Sequence, residues 1–359
     1  MSTTPAAIPA ATPAVRPHGY VLIRAGRGSF LVHRRATAVA LGLTVLLAGA
    51  CLAYLCLGMP DTSPGEVLKV LLGQPSPAEF AVGTARLPRM TVGLLAGAAF
   101  GVAGALIQTV ARNPLASPDV IGVSQGAGAL TVGAMTFGIT SYSALPYLSV
   151  VGGLLAAGLV YAFAWRGGLQ AARFVLIGIG FAVALRSVTH LFLTKGDYLV
   201  AQQAKVWLTG SLGARGWDEA APLAWTLLAA LPAVCWAARA QRTVSLDDAT
   251  ATALGVRLNR TRLGLVGLGV VLASVATGAA GPVDFVALLA PQIARRTTRT
   301  AQIPLLGSAL LGAFIVVTAD LLGRKLLEPT QLPVGVLTAA VGAPYLIWLI
   351  ARGRTGGKA

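Results

Sequence analysis

Charged residues are scarce in this chain. Only 11% of its 359 residues are Asp, Glu, Lys or Arg, whereas 55% are hydrophobic, and soluble domains carry roughly 25% charged residues. A chain this apolar needs lipid as its solvent, and runs of about 20 apolar residues match a hydrocarbon core of roughly 30 Å. Because lipid cannot pair with backbone groups, the sequence predicts a helical membrane protein that crosses the bilayer several times.

Cysteines and catalytic clusters are equally few. The three cysteines, Cys51, Cys56 and Cys235, lie in apolar runs and form no CxxC pair, which argues against a disulfide framework or a zinc site. No Ser/His/Asp or carboxylate/His cluster indicates a catalytic centre. The C-terminal GRTGGKA lacks the Ser or Thr that follows the lysine of a phosphate-binding loop. We therefore expect neither an enzyme nor a bound metal or cofactor.

The net charge of +16 fits the same class of protein. Lys and Arg of membrane proteins gather in cytoplasmic loops, and no patch of arginines interleaved with aromatic residues indicates nucleic-acid binding. We expect a lipid bilayer, and no nucleic acid, around this chain.

Ten apolar segments are candidate membrane spans. They lie near residues 36–58, 90–111, 119–138, 144–165, 173–194, 220–238, 262–280, 283–296, 303–323 and 332–351. The eighth is short and carries Asp284, but a protein with nine spans would put one of the two basic chain ends outside, against the expected cytoplasmic excess of Lys and Arg. The sequence therefore predicts an all-α polytopic protein with about ten transmembrane helices and both termini in the cytoplasm.

The sequence predicts a transmembrane domain with a tail at each end. Residues 1–35 are expected to form a flexible basic cytoplasmic tail, residues 36–352 the transmembrane domain, and residues 353–359 a short cytoplasmic tail.

Few polar residues lie inside the spans. Arg186 and His190 are four residues apart and therefore on one face of the fifth span. Ionisable residues at membrane depth are candidates for function, so the pair either borders a substrate path or only snorkels and pairs with a neighbouring helix.

In the second span, Gly93, Gly97 and Gly101 recur every four residues, which predicts a stripe for close helix packing.

One cytoplasmic segment is unusual. The stretch SLDDATATALGVRLNRTR at 245–262 mixes acids, small residues and arginines. Asp247 and Asp248 follow Ser245 as at the start of a helix, and Gly255 is typical of a stop. The segment is either a short helix that a cytoplasmic partner could grip or a solvated connecting loop.

Six segments together resemble one family. They are RLPR at 86–89, GAAFGVAGALIQTVARNPLASPDVIGVSQGAG at 97–128, WLTGSLGARGW at 207–217, ALGVRLNR at 253–260, GPVDFVALLAPQIAR at 281–295 and LPVGVLTAAVGAPYLIWLI at 332–350. Over about 36–352 the chain resembles the permease subunits of ATP-binding-cassette (ABC) importers for ferric siderophores, haem and cobalamin, the FecCD type.

The resemblance implies the type II ABC importer permease fold and its partners. In that family, ten helices per subunit assemble as a dimer around a central pathway in the bacterial cytoplasmic membrane. Two ATPase subunits bind from the cytoplasm and carry ATP and Mg²⁺, and a substrate-binding protein docks outside. The basic N-terminal extension resembles members that pair with a second, non-identical permease, which favours a heterodimer over a homodimer.

The resemblance also implies roles for particular residues. Arg86, Arg89 and Arg324 would be docking arginines that meet acidic residues of the binding protein, since a guanidinium pairs bidentately with carboxylates. Ordinary anchoring charges at the membrane interface are the alternative. The spans near 173–194 and 332–351 would border the pathway. The residues implied to couple to the ATPase are Asp247, Asp248, Ala253, Leu254, Gly255 and Val256.

Two positions depart from the family pattern. Gln292 stands where members often have His, and Asp284 stands where a small residue is common. Neither touches the docking or coupling segments.

We expect a ferric siderophore as cargo, with cobalamin or haem as alternatives. A secondary transporter would need ion-coupling carboxylates or broken helices near the midplane, and the sequence places the acids at helix ends instead.

Overall fold

The computed structural model describes residues 19–25, 28–58, 60–139, 144–165, 171–328 and 330–353. In chain order the elements are β1 (Tyr20–Ala25), β2 (Gly28–His33), α1 (Arg34–Cys56), α2 (Pro64–Leu71), α3 (Leu87–Ala111), α4 (Val123–Thr136), α5 (Leu145–Ala164), α6 (Ala171–Lys195), α7 (Tyr198–Leu208), α8 (Trp217–Val244), α9 (Asp248–Ala253), α10 (Leu258–Ala280), α11 (Val286–Thr298), α12 (Leu305–Lys325) and α13 (Val334–Gly353). A π-helical stretch, Phe80–Arg86, runs directly into α3.

Seven helices in the described part of the chain are long and apolar enough to cross a bilayer: α1, α3 with its π-helical start, α5, α6, α8, α10 and α12. The apolar stretch of α13, Val334–Trp348, is shorter. Helices α4 and α11 have 14 and 13 residues, which at 1.5 Å per residue is about 20 Å, less than the roughly 30 Å of a hydrocarbon core. All ten predicted segments are therefore helical, but by length only seven are spans, and the predicted count of ten is not confirmed.

Helix α4 is short because the chain enters the bundle before it becomes helical. A β-carbon placed on Gly178 would lie 2.9 Å from the Cα of Ile121, so the connection between α3 and α4 packs directly on α6. Gly178 follows Ala171 by seven residues, which is about 10 Å along α6. The connection thus reaches membrane depth, and α4 crosses only the remaining thickness of the hydrocarbon core.

Helix α3 lies at the centre of the bundle. Most of its residues are buried, and it packs on α8, α10, α11 and α12. The predicted glycine stripe faces α12: a β-carbon on Gly97 would lie 2.8 Å from the Cα of Ala313, and one on Gly101 would overlap the carbonyl oxygen of Ser308. A β-carbon on Gly93 would lie 2.9 Å from the side chain of Leu212, in the connection before α8. Only glycine allows backbones this close, as in small-residue packing of membrane helices.

The N-terminal segment is not entirely an irregular tail. Strands β1 and β2 pair as an antiparallel hairpin in which Tyr20 faces His33, because the runs YVLIRA and GSFLVH are rich in β-branched and aromatic residues. The Nδ1 of His33 accepts a hydrogen bond from the backbone N–H of Ala36 at 3.2 Å and so caps α1. Residues 1–18 and 354–359, most of the two predicted tails, lie outside the described residues.

Candidate functional site

Arg86, the first of the predicted docking arginines, points into the protein. Its side chain is 5% exposed. Its Nη1 donates to the carbonyl oxygen of Leu55 at 2.7 Å and to the hydroxyl of Thr62 at 3.0 Å, and its Nη2 donates to the carbonyl oxygen of Pro60. Carbonyls in the last turn of a helix have no intrahelical partner, and a cation there also complements the helix dipole. Arg86 therefore closes the outer end of α1.

Arg89 and Arg324 belong to a buried charged cluster around Asp320, which is 1% exposed. Asp320 accepts two hydrogen bonds from Arg89, at 2.8 and 2.9 Å, and one from the hydroxyl of Tyr54 at 2.5 Å. The Arg324 guanidinium lies 3.9 Å from the centre of the Tyr54 ring and 4.0 Å from Asp320. Arg89 also donates to Gln331 at 2.9 Å. The cluster, defined by Tyr54, Arg89, Asp320 and Arg324, ties together α1, α3, α12 and the segment before α13.

The three predicted docking arginines are largely buried. Arg86 is buried, and the side chains of Arg89 and Arg324 are 12% and 11% exposed. Each guanidinium is already bonded to its own chain, so pairing with a carboxylate of another protein would cost those internal bonds. The C-terminal end of α1 and Asp320 supply partners for these arginines within the chain, and the docking role stays a prediction.

The predicted coupling segment forms α9 and is anchored by ion pairs. The Asp247 side chain accepts from Thr250 N at 2.9 Å and caps α9. Asp248 pairs with Arg262 at 2.6 Å and with Arg112 at 2.8 Å. Arg112 directly follows α3 in a left-handed conformation with φ of 48°, and Arg262 lies on α10. Helix α9 is therefore tied to two membrane helices at once.

The charge of Asp248 is stable at cytoplasmic pH. The hydrogen bond and charge of Arg262, with the charge of Arg112, hold the pKa of Asp248 below its usual value. A carboxyl group whose pKa is depressed in the folded state contributes stability above its ordinary pKa of about 3.9 and loses it only as the pH falls further. The anchor of α9 is thus intact throughout the neutral range.

The far side of α9 is open and apolar. Leu254 is 65% exposed, and its neighbours Ala253 and Gly255 are exposed as well, whereas Val256 is half-buried. Gly255 has a φ of +77° and ends the segment, as its position in the sequence predicts. Leu254 is thus a large apolar side chain exposed among small residues at the end of α9.

Arg186 and His190 both lie exposed on α6. Arg186 is fifteen residues from the start of α6, about 22 Å along the helix at 1.5 Å per residue. The exposed residues nearer the start of α6 on this face are apolar: Leu176, Ile179 and Val183. Exposure at this depth fits either a path for substrate or a side chain that snorkels to the interface, so the role of the pair stays a prediction.

Two acids stand directly before the short helices α4 and α11. Asp119 precedes α4, and Asp284, which is exposed, precedes α11. The charge of Asp284 lies within electrostatic range of those of Asp119 and Arg186. Asp119 accepts a hydrogen bond from the hydroxyl of Ser124. Among the described residues, no group of three or more His, Cys, Asp or Glu could hold a metal ion.

A backbone junction fixes the elements on this side of the bundle. The N–H of Gly335 donates to the carbonyl oxygen of Gly210 at 3.1 Å, and a β-carbon on Gly281 would lie 2.9 Å from the carbonyl oxygen of Trp207. Gly210 and Gly281 have φ of +69° and +76°, which favours glycine. Three of the resembling segments meet here, and the junction positions both Asp284 and the start of α13.

Gln292, one of the two departures from the family pattern, is buried in a polar chain. Its Nε2 donates to Gln108 Oε1 at 2.5 Å, and Gln108 donates to the carbonyl oxygen of Leu288 at 3.2 Å. Arg295 donates to the Gln292 oxygen at 3.3 Å. Gln292 and Gln108 are 1% and 2% exposed. This series of buried hydrogen bonds connects α3 to α11, and we assign it a structural role.

Comparison with known proteins agrees with this architecture. The model of the FecCD transport family matches residues 45–352. The ferric enterobactin transport system permease protein of Escherichia coli (strain K12) is 39% identical, over 85% of this chain and 94% of its own length. The Fe(3+)-citrate import system permease protein YfmE of Bacillus subtilis (strain 168) is 38% identical, over 86% and 93%.

A solved structure supports the fold directly. A chain described as a metal-chelate type ABC transporter in an inward-facing conformation aligns with a TM-score of 0.77 at 26% identity, covering 88% of this chain and 99% of that one.

Proposed function

The chain belongs to the FecCD transport family, and we propose that it is the permease subunit of an ABC importer for a ferric siderophore. It is a multi-pass membrane protein of the bacterial inner membrane. The relatives at 39% and 38% identity are named for ferric enterobactin and ferric citrate transport, which supports an iron chelate as cargo over cobalamin or haem. The observation that carries the proposal is the exposed, doubly anchored helix α9, which has no evident use in a permease that works alone.

We assign ATP hydrolysis to partner subunits. ATP and Mg²⁺ would be bound by two ATPase subunits in the cytoplasm, and this chain would contribute no catalytic residue and no cofactor of its own. Leu254 and its small neighbours would fit a groove of the ATPase, while the bonds from Asp248 to Arg112 and Arg262 would carry a displacement of α9 into α3 and α10.

The pathway would run along the exposed faces of α6 and α13. Arg186 and His190 on α6, with Asp284 beside them, form a charged face at membrane depth, and α13 lies next to Asp284 through Phe285, which contacts Gly342. A face of this kind requires a second permease subunit to close the path. We retain the heterodimer as the preferred assembly because of the basic N-terminal extension.

The binding protein would dock on the outer surface that the buried arginines support. In this proposal Arg86, Arg89 and Arg324 hold α1, α12 and the segment before α13 in place, and the docking contacts come from residues around them. The role of the arginines is thereby to position the docking surface.

Substitution of Leu254 tests the coupling assignment. The full chain carrying Leu254→Arg should fail to retain the ATPase during purification, because a charge would replace the apolar contact. The matched control is Leu72→Arg, since Leu72 is a 64% exposed leucine at the end of α2 on the opposite side of the membrane. Equal retention of the ATPase by the two variants would contradict the assignment of α9.

A further inference from the structure

Helices α5 and α8 form a surface bounded by aromatic residues at both ends. Tyr147 and Trp165 lie at the outer and inner ends of α5, and Trp217 and Trp236 occupy the corresponding positions on α8; all four are between 41% and 64% exposed. The separations are 18 and 19 residues, or about 27 and 28 Å along the helices. Aromatic residues mark the two interfaces of a bilayer, and the spacing matches a hydrocarbon core of roughly 30 Å.

The large side chains exposed between these ends are apolar. On α8 they are Trp225, Leu228 and Leu231, and on α5 they include Leu155 and Leu159. This face differs from that of α6, where Arg186 and His190 are exposed at membrane depth. The surface of α5 and α8 therefore faces lipid.

A groove of about 680 Å³ opens in the outer half of this lipid-facing surface. Its walls are the first turns of α5 and α8 and the last turns of α10, and its lining includes Tyr147, Val150, Ala221, Val275 and Ala279. Along α8 the groove extends from Trp217 to Thr226, which is about 14 Å. That depth corresponds to one leaflet of a core of roughly 30 Å.

The mouth of the groove is acidic. Asp218 and Glu219 both line it, and Asp218 is exposed. Glu219 is already paired with Arg215 at 3.6 Å. Asp218 therefore leaves one net negative charge at the level where lipid headgroups lie.

We propose that this groove binds one phospholipid of the outer leaflet whose headgroup carries a primary ammonium, as in phosphatidylethanolamine. Its acyl chain lies against Val150, Ala221 and Val275, because an apolar groove in the hydrocarbon region is filled by lipid, and its ammonium group pairs with Asp218. An anionic headgroup such as phosphatidylglycerol would meet the same carboxylate as a like charge.

Native mass spectrometry of the full chain, purified from an equimolar mixture of phosphatidylethanolamine, phosphatidylcholine and phosphatidylglycerol, tests the proposal. The unmodified chain should retain phosphatidylethanolamine over phosphatidylglycerol by about fivefold, the factor expected for one partly exposed ion pair. Phosphatidylcholine should fall between them, because its quaternary ammonium has no N–H to donate. Asp218→Asn should keep the retained lipid but bring the three headgroups close to equality.

A matched pair of variants tests the acyl-chain site separately. Ala221→Trp fills the groove and should abolish lipid retention. Ala229→Trp makes the same change at another exposed alanine of α8, outside the groove, and should leave retention as in the unmodified chain. Equal retention by the two variants would overturn the groove as a lipid site, and a preference of the unmodified chain for phosphatidylglycerol would overturn the assigned headgroup.

Discussion

The buried pair of Arg89 and Asp320 gives the sharpest prediction. Asp320 is 1% exposed and accepts two hydrogen bonds from Arg89, at 2.8 and 2.9 Å. Removing one partner of such a pair leaves a buried charge and typically costs about 3–5 kcal/mol. Tyr54 and Arg324 remain near Asp320 in an Arg89→Met variant, so we expect a loss of about 3 kcal/mol, at the lower end of that range.

The double variant Arg89→Met/Asp320→Leu should recover part of this loss, because neither of these two charges is then left buried and the replacements are apolar. Recovery is incomplete because Arg324 and Tyr54 also lose Asp320 as a partner. The assay is thermal unfolding of the purified full chain in detergent, read as the midpoint temperature. The control is Lys325→Met, which removes the far more exposed pair of Lys325 and Asp61 and should barely move the midpoint.

The same variants distinguish positioning from docking. If Arg89 positions the outer surface, the double variant should recover transport together with stability. If Arg89 instead contacts the binding protein, the double variant would be stable yet inactive. A midpoint for Arg89→Met equal to that of Lys325→Met would refute the reasoning from burial.

Three further predictions concern packing, coupling and the pathway. Gly101→Leu should abolish the folded chain in a detergent size-exclusion profile, because the side chain would meet the backbone of α12, whereas Gly42→Leu should not, since a β-carbon on Gly42 has no neighbour within 4 Å. Asp248→Asn should leave the ATPase bound but lower transport per ATP hydrolysed several-fold, measured in parallel assays of uptake and phosphate release. Arg186→Glu should slow uptake without loss of assembly, and adding Asp284→Arg should restore part of it if the two residues interact; additive losses would contradict that interaction.

The sequence was sufficient for the features that depend on local pattern. Apolar runs located all ten segments that form helices, and the spacing of Gly93, Gly97 and Gly101 identified the face of α3 that packs closely. The start of α9 at Asp247 and its stop at Gly255 were also local signals. Each depends on periodicity or on capping within a few residues.

Features that depend on distant partners could not be predicted. The arginines at the start of the second span were recognised, but Arg86 bonds to a carbonyl 31 residues away and Arg89 to a carboxylate 231 residues away, so their inward direction was invisible. The connection before α4 packs directly on α6, where a β-carbon on Gly178 would lie 2.9 Å from the Cα of Ile121. Hydropathy records the apolar surroundings of such connections and not the depth at which a helix begins.

Uptake into proteoliposomes tests the central claim most directly. The chain would be reconstituted with its ATPase, its permease partner and the binding protein, and supplied with a radiolabelled ferric siderophore, haem or cobalamin, with and without ATP on the ATPase side. We predict uptake of the ferric siderophore that requires ATP and the binding protein. Uptake that proceeds without ATP and follows an imposed proton or sodium gradient would contradict the assignment as an ABC importer permease, and ATP-dependent uptake of haem or cobalamin alone would contradict the assigned cargo.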